Sequence, residues 1–209
     1  MRRLALGAVL AAAACAVAAC GGGSGSSTPA AGGTDSAASS TAATTSTAPS
    51  SAPTSVDGVS LTAQGSALTL GQVARVSWSP DQKTVGVIAL RVKAVRKVPV
   101  KAFSAWKLDA ATRRSTPYYV HVAVTNLGHS DLSGAAVPLY LDDQRNVLLQ
   151  ASTFTARFQA CPSRPLPSGF TTGKQTSVCL VYFVPDHGTL EALSFRPTES
   201  FRAITWKKS

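Results

Sequence analysis

Acidic side chains are scarce in this sequence. Its 209 residues include 10 Asp and Glu against 20 Lys and Arg, and its only glutamates are Glu191 and Glu199. Nothing marks these two as the paired acid and base of a glycosidase. The three histidines lie in a predicted strand (His121) or in predicted turns (His129 and His187), so no nucleophile, base and orienting acid are brought together. We therefore expect a non-enzyme without a cofactor.

Patterns that bind metals or phosphate are also missing. The early glycine cluster has no strand before it and no helix after it, unlike a phosphate-binding loop. Cys161 and Cys179 have no neighbouring Cys or His at zinc spacing. Asp142 and Asp143 favour a hairpin turn over the alternative of a calcium site, because residues 144–146 do not continue the alternating oxygen ligands of a calcium loop. No metal site is predicted.

Long apolar runs are lacking except at the start of the chain. Residues 4–19 carry no charge and follow Arg2 and Arg3. A membrane-spanning helix needs about 20 strongly apolar residues, whereas a basic start and a shorter apolar stretch that ends in small residues are typical of a signal peptide. Residues 1–19 are therefore predicted to be a signal peptide.

The residues before Cys20 resemble a bacterial lipobox, since Val17 is followed by Ala18 and Ala19. The resemblance implies that Cys20 becomes the lipidated N-terminus, whose two or three acyl chains meet the requirement for stable anchoring. Cys15 fits less well because apolar sequence continues after it. We expect a lipoprotein of the cell membrane, on the extracytoplasmic face; the alternative is an ordinary secreted protein cut nearby.

Two further segments follow the predicted cleavage site. Residues 20–56 are almost entirely Gly, Ser, Thr, Ala and Pro, which predicts a disordered tether with a typical reach of roughly 30–35 Å. Residues 57–209 have the usual size of one domain. A single pair of cysteines in an exported domain forms a disulfide by default, so we predict a bond between Cys161 and Cys179.

Short apolar segments separated by turns indicate an all-β domain. Within residues 118–125, one face of a predicted strand carries Tyr118, Val120, Val122 and Val124, and the other carries Tyr119, His121, Ala123 and Thr125; this two-residue alternation is the period of a strand. Further strands are predicted at residues 71–78, 85–92, 177–184, 190–196 and 201–206, with a hairpin through residues 142–146 and a short helical turn within residues 100–113. This spacing favours an antiparallel, immunoglobulin-like β-sandwich of about seven to nine strands.

The order of these segments resembles a known family. Residues 124–126 read Val-Thr-Asn, residues 166–169 read Leu-Pro-Ser-Gly, and an apolar strand runs into Val184 and Pro185. Over residues 68–206 the chain resembles the immunoglobulin-like domain of unknown function in exported lipoproteins of Gram-positive bacteria, and is similar to a small secreted antigen of mycobacteria. The resemblance implies a binding or interaction module and carries no catalytic residues.

Positive charge is concentrated in residues 83–114, where nine Lys and Arg stand against Asp109 alone. Such a segment attracts anions, which outside a cell are lipid head groups and wall polymers. We predict a surface there that binds an anion or a partner, namely an anionic cell-wall polymer or another envelope protein. The surface consists of Arg91, Lys93, Arg96, Lys97 and Lys101. The alternative is that this positive charge has no binding function and only maintains solubility. No nucleic-acid motif is present.

A second function remains open from the sequence alone. An accessory lipoprotein of this size would hold a small ligand in a pocket between a sheet edge and a loop, with His121, Trp106 and Tyr119 as candidate lining residues. Phe103 and Trp106 lie within the basic segment and are interpreted as a cap on the core, the alternative being an aromatic contact patch. Trp78 and Trp206 are assigned to the core or its edge.

Overall fold

A computed structural model describes residues 54–81 and 83–208. The predicted signal peptide, Cys20 and nearly all of the predicted tether therefore lie outside the described residues. The elements are the strands β1 (Ser55–Val56), β2 (Val59–Ser60), β3 (Ala67–Thr69), β4 (Val73–Trp78), β5 (Gly86–Lys97), β6 (Thr116–Asn126), β7 (Tyr140–Asp143), β8 (Leu148–Leu149), β9 (Gln175–Val184), β10 (Leu190–Phe195) and β11 (Ile204–Lys207), a 3-10 turn (Val100–Phe103) and the one-turn helix α1 (Ala110–Arg113).

The strands form two larger sheets and a separate two-stranded pair. One sheet has the order β4-β5-β6-β9 and the other the order β3-β11-β10-β7-β8, while β1 pairs with β2. All pairs are antiparallel except β3 with β11. The described residues therefore form an all-β sandwich, as the strand spacing predicted.

The core lies between the two larger sheets, and strand alternation explains its composition. On β6, the predicted inward residues Tyr118, Val120, Val122 and Val124 all belong to the core cluster. Residues of the opposite sheet, among them Leu193 and Trp206, pack against them. The assignment of Trp78 and Trp206 to the core is confirmed. Trp78 pairs with Gly86, where a Cβ atom would lie 2.6 Å from the indole, so only glycine allows this approach.

A β-bulge interrupts the pairing of β5 with β6. Val92 pairs with Val122, but the next pair is Ala94 with His121, which leaves Lys93 as the extra residue. A bulge resets the two-residue alternation of a strand. Val95, instead of Ala94, consequently packs against the core, and Arg96 returns to the outer face, where it pairs with Tyr119.

A second hydrophobic cluster lies on the outer face of the four-stranded sheet, over β6 and β9. Phe103 is fully buried there, with its ring centroid 4.8 Å from Phe183 and 5.0 Å from Phe158. Trp106 lies 4.8 Å from Phe158 by ring centroids. Phe103 and Trp106 therefore pack on the outside of a sheet, in a cluster distinct from the core between the sheets.

The segment that carries Phe158 is fastened to β9 at several points. Ser152 forms an isolated bridge with Val181, and the Ser163 hydroxyl accepts a hydrogen bond of 3.1 Å from the Val181 N–H. A disulfide joins Cys161 to Cys179, which confirms the predicted bond. This attachment makes residues 152–163 a cover for the outer face of β9.

The predicted strands are found with modest shifts in their limits. The described residues form eleven strands, so the expected seven to nine are not confirmed; three of the eleven have two residues each. Residues 177–184 lie in β9, which ends its sheet but is covered on both faces. The hairpin and the helical turns within residues 100–113 are present. No helix in the described part of the chain has the length and apolar character needed to span a membrane.

Candidate binding surface

Three of the five predicted cations share one exposed face. Arg91, Lys93 and Arg96 are exposed on the outer side of β5, opposite the buried Leu90 and Val92. Strand alternation places Arg91 and Lys93 on this face, and the bulge at Lys93 adds Arg96. Arg75 on the neighbouring β4 lies between the core residues Ala74 and Val76, so it joins the same face. We call Arg75, Arg91, Lys93 and Arg96 the basic face.

The other two predicted cations lie away from this group. Lys97 ends β5 and pairs with Tyr118, whose side chain belongs to the core side of the sheet. Lys101 is exposed in the 3-10 turn. Arg75 was missed because it precedes the basic segment in the sequence; the alternation of residues 73–78 is the signal that would have found it.

The basic face carries no partner of opposite charge within the described residues. The ion pairs found in residues 54–81 and 83–208 join Arg145, between β7 and β8, to Asp143 and to Asp186. Lys93 instead reaches the Ser177 hydroxyl at 3.3 Å. The Arg96 guanidinium lies 5.7 Å from the centroid of the Tyr119 ring, which is within the range of a cation–π contact. Burial raises the pKa of Tyr119, although Arg96 acts to lower it.

A shallow groove of about 230 Å³ runs along the basic face. Small side chains form its floor, since Ala123 is 6% exposed and Ala89 is half-buried. Its lining residues are Val73, Ala89, Arg91, Lys93, Ala123, Thr125 and Gln175. The groove combines two cations with a hydroxyl and an amide, which are donors that suit phosphate, carboxylate and sugar oxygens.

The residues proposed for a small-ligand pocket have different surroundings. His121 is exposed, and its Nε2 lies 3.9 Å from the Cys179 Sγ. Tyr119 is 2% exposed within the second cluster, and its hydroxyl has no hydrogen-bond partner in the described structure. Trp106 packs on Phe158 in the same cluster. Trp106 and Tyr119 both pack against the Phe158 ring in the second cluster.

Asp142 and Asp143 end β7, and the turn begins after them. The Asp143 Oδ1 accepts hydrogen bonds from the N–H groups of Arg145 at 2.8 Å and Val147 at 2.9 Å. Although burial acts to raise the pKa of Asp143, these bonds and the Arg145 guanidinium lower it overall. Asp143 is thus a turn cap, in line with the hairpin interpretation. Residues 54–81 and 83–208 contain no group of three or more His, Cys, Asp or Glu that could hold a metal ion.

Comparison with known proteins found no match for this chain among protein-family models, curated proteins or solved structures. The resemblance to an immunoglobulin-like lipoprotein family accordingly stays a prediction from the residues.

Proposed function

We propose that this chain is a non-catalytic binding lipoprotein, anchored through Cys20 on the extracytoplasmic face of the cell membrane. Its immunoglobulin-like sandwich would use the basic face to contact anionic components of the envelope, such as lipid phosphates or charged wall polymers. The observation that carries the proposal is that four cations share one exposed sheet face without an acidic partner in the described residues. The two facing sheets support the immunoglobulin-like assignment.

The geometry of the basic face favours contact with a surface or polymer over general solubility. Positive charge keeps a domain soluble wherever on the surface the charge lies. Here, in contrast, a bulge brings Arg96 onto the same face as Arg91 and Lys93, so the charges are collected in one place. A sheet face is also more rigid than a loop, so the spacing of these charges is maintained. Each Lys or Arg near an anionic membrane contributes about 1 kcal/mol of attraction.

The test is sedimentation of the chain with vesicles of phosphatidylglycerol and with isolated cell wall. Cys20→Ser is included throughout so that no acyl chain contributes. Replacing Arg91, Lys93 and Arg96 with Ser should weaken binding roughly 100-fold, from about 3 kcal/mol of lost attraction. The salt dependence of the remaining binding should be flatter.

The matched control replaces Lys83, Arg157 and Lys208, which are also exposed, with Ser. It removes the same formal charge but leaves the basic face intact. Binding that falls equally in both triple variants would show that only net charge matters. Binding that survives the first triple variant would refute the proposal.

A further inference from the structure

An open cleft of about 1530 Å³ borders the basic face and shares Arg75 with it. It lies along β4 at residues 75–78 and is bordered by residues 136–140, 150–153 and 197–202. Its lining includes residues of both larger sheets, and β4 is an edge strand of its sheet. The volume exceeds the roughly 300–1,000 Å³ of a typical small-molecule site.

The floor of the cleft is apolar. It reaches the core residues Trp78, Leu139 and Ile204, which are at most 8% exposed. Half-buried apolar side chains continue this surface toward the opening, namely Leu61, Pro138, Ala151 and Phe201. An alkyl chain laid along this floor would gain about 0.8 kcal/mol for each buried methylene group.

The rim of the cleft is basic. Its charged residues are Arg75, Arg164 and Arg202, and no Asp or Glu lines it. The guanidinium groups of Arg164 and Arg202 have no hydrogen-bond or ion-pair partner among the described residues. A guanidinium presents paired donors that match phosphate and carboxylate oxygens. The cleft thus offers a long apolar surface beside unpaired cations.

We propose that this cleft binds an anionic amphiphile, a single alkyl or acyl chain with a phosphate or carboxylate head group. The chain lies along the floor beside Trp78, and the head group contacts Arg164 and Arg202 at the rim. Charge complementarity argues for this occupant over a neutral glycan or an uncharged apolar peptide, neither of which would use the free guanidinium groups. This site shares Arg75 with the basic face, but its head-group contacts are Arg164 and Arg202, and it goes beyond the function proposed for that face.

The experiment is calorimetric titration of the full chain, carrying Cys20→Ser, with dodecyl phosphate below its micelle concentration. Dodecanoate, dodecanol and inorganic phosphate are titrated in parallel. We expect the two anionic amphiphiles to bind and to be distinguished by affinity, which identifies the preferred head group. Binding of dodecanol as tight as that of both anions, or no binding of either anion, would overturn the proposal.

Location is tested by variants and by Trp fluorescence. The double variant with Arg164→Gln and Arg202→Gln should bind dodecyl phosphate about tenfold more weakly, or weaker still. The control variant with Arg157→Gln and Lys208→Gln should keep the parent affinity. Dodecyl phosphate with a bromine at the end of its alkyl chain should quench the tryptophan fluorescence of the parent protein. Most of that quenching should be lost in Trp78→Phe. If the Arg164 and Arg202 double variant kept the parent affinity, or if Trp78→Phe kept the parent quenching, the ligand would bind outside this cleft. The Ser variants of Arg91, Lys93 and Arg96 should bind dodecyl phosphate normally, which separates the two sites.

Discussion

The neighbouring residues Asp142 and Asp143 have opposite electrostatic roles. Burial raises the pKa of Asp142, and the charges of Asp143 and Glu191 add to the increase. Its Oδ1 is buried without a hydrogen-bond partner in the described structure. The hydrogen bonds from the turn lower the pKa of Asp143. Ionised Asp142 therefore opposes folding near neutral pH, and ionised Asp143 favours it.

This contrast predicts opposite effects of the same substitution. Asp142→Asn should be more stable than the parent at pH 7, and the gain should disappear below the ordinary pKa of 3.8, where Asp142 is protonated in both states. Asp143→Asn should lose about 1–2 kcal/mol at pH 7, from weaker charge-assisted hydrogen bonds. That deficit should shrink progressively as the pH falls from the ordinary pKa of 3.8 toward the lowered pKa of Asp143, and it should be gone below that lowered pKa. Urea unfolding between pH 2 and pH 7 measures both, and equal effects of the two substitutions would contradict this account.

At the scale of elements, residues 152–163 and their disulfide hold the second cluster against the outer face of β9. The bond joins positions 18 apart, and closing a loop of this size contributes about 3 kcal/mol on the chain-entropy model. Phe154 and Phe158, with ring centroids 5.2 Å apart, depend on this segment for their position. Opening the disulfide should therefore destabilise the packing of residues 152–163 on β9 before it destabilises the core between the sheets.

Removal of the disulfide should cost about 3 kcal/mol of unfolding free energy. The variant is Cys161→Ala with Cys179→Ala, measured by guanidinium unfolding. Hydrogen exchange should rise first at Ser163, whose N–H donates to the Cys179 carbonyl, and at Val181, whose N–H donates to the Ser163 hydroxyl. Exchange at Val122 in the core should stay slow. The control, Cys15→Ser with Cys20→Ser, leaves the bond intact. Unchanged stability of the first variant would refute this role of the disulfide.

At the scale of the whole molecule, the proposed function requires that the sandwich is held at the membrane. Mass spectrometry of the protein from its native host should show Cys20 as the first residue, with attached acyl chains. Cys20→Ser should move the protein out of the membrane fraction, whereas Cys15→Ser should leave it there. An unmodified Cys20 still joined to Ala19 would exclude the lipoprotein assignment.

Much of the sandwich follows from local chemistry that the sequence contains. The two-residue alternation of β6 determined which residues face the core, because successive strand side chains point to opposite sides. Asp143 and Asn146, the latter with a φ of 58°, belong to the hairpin turn that polar residues predicted. Composition likewise predicted one disulfide, since residues 57–209 contain a single pair of cysteines.

What the tertiary structure decided depends on residues far apart in the chain. The bulge at Lys93 arises from pairing with His121 and Val122, so alternation within β5 could not place Arg96 on the basic face. Phe103 and Phe158 meet only because both segments fold onto β9. The cleft beside β4 is formed by the gap between two sheets. Local periodicity determines the face of a residue, but only the packing of distant strands determines what lies opposite it.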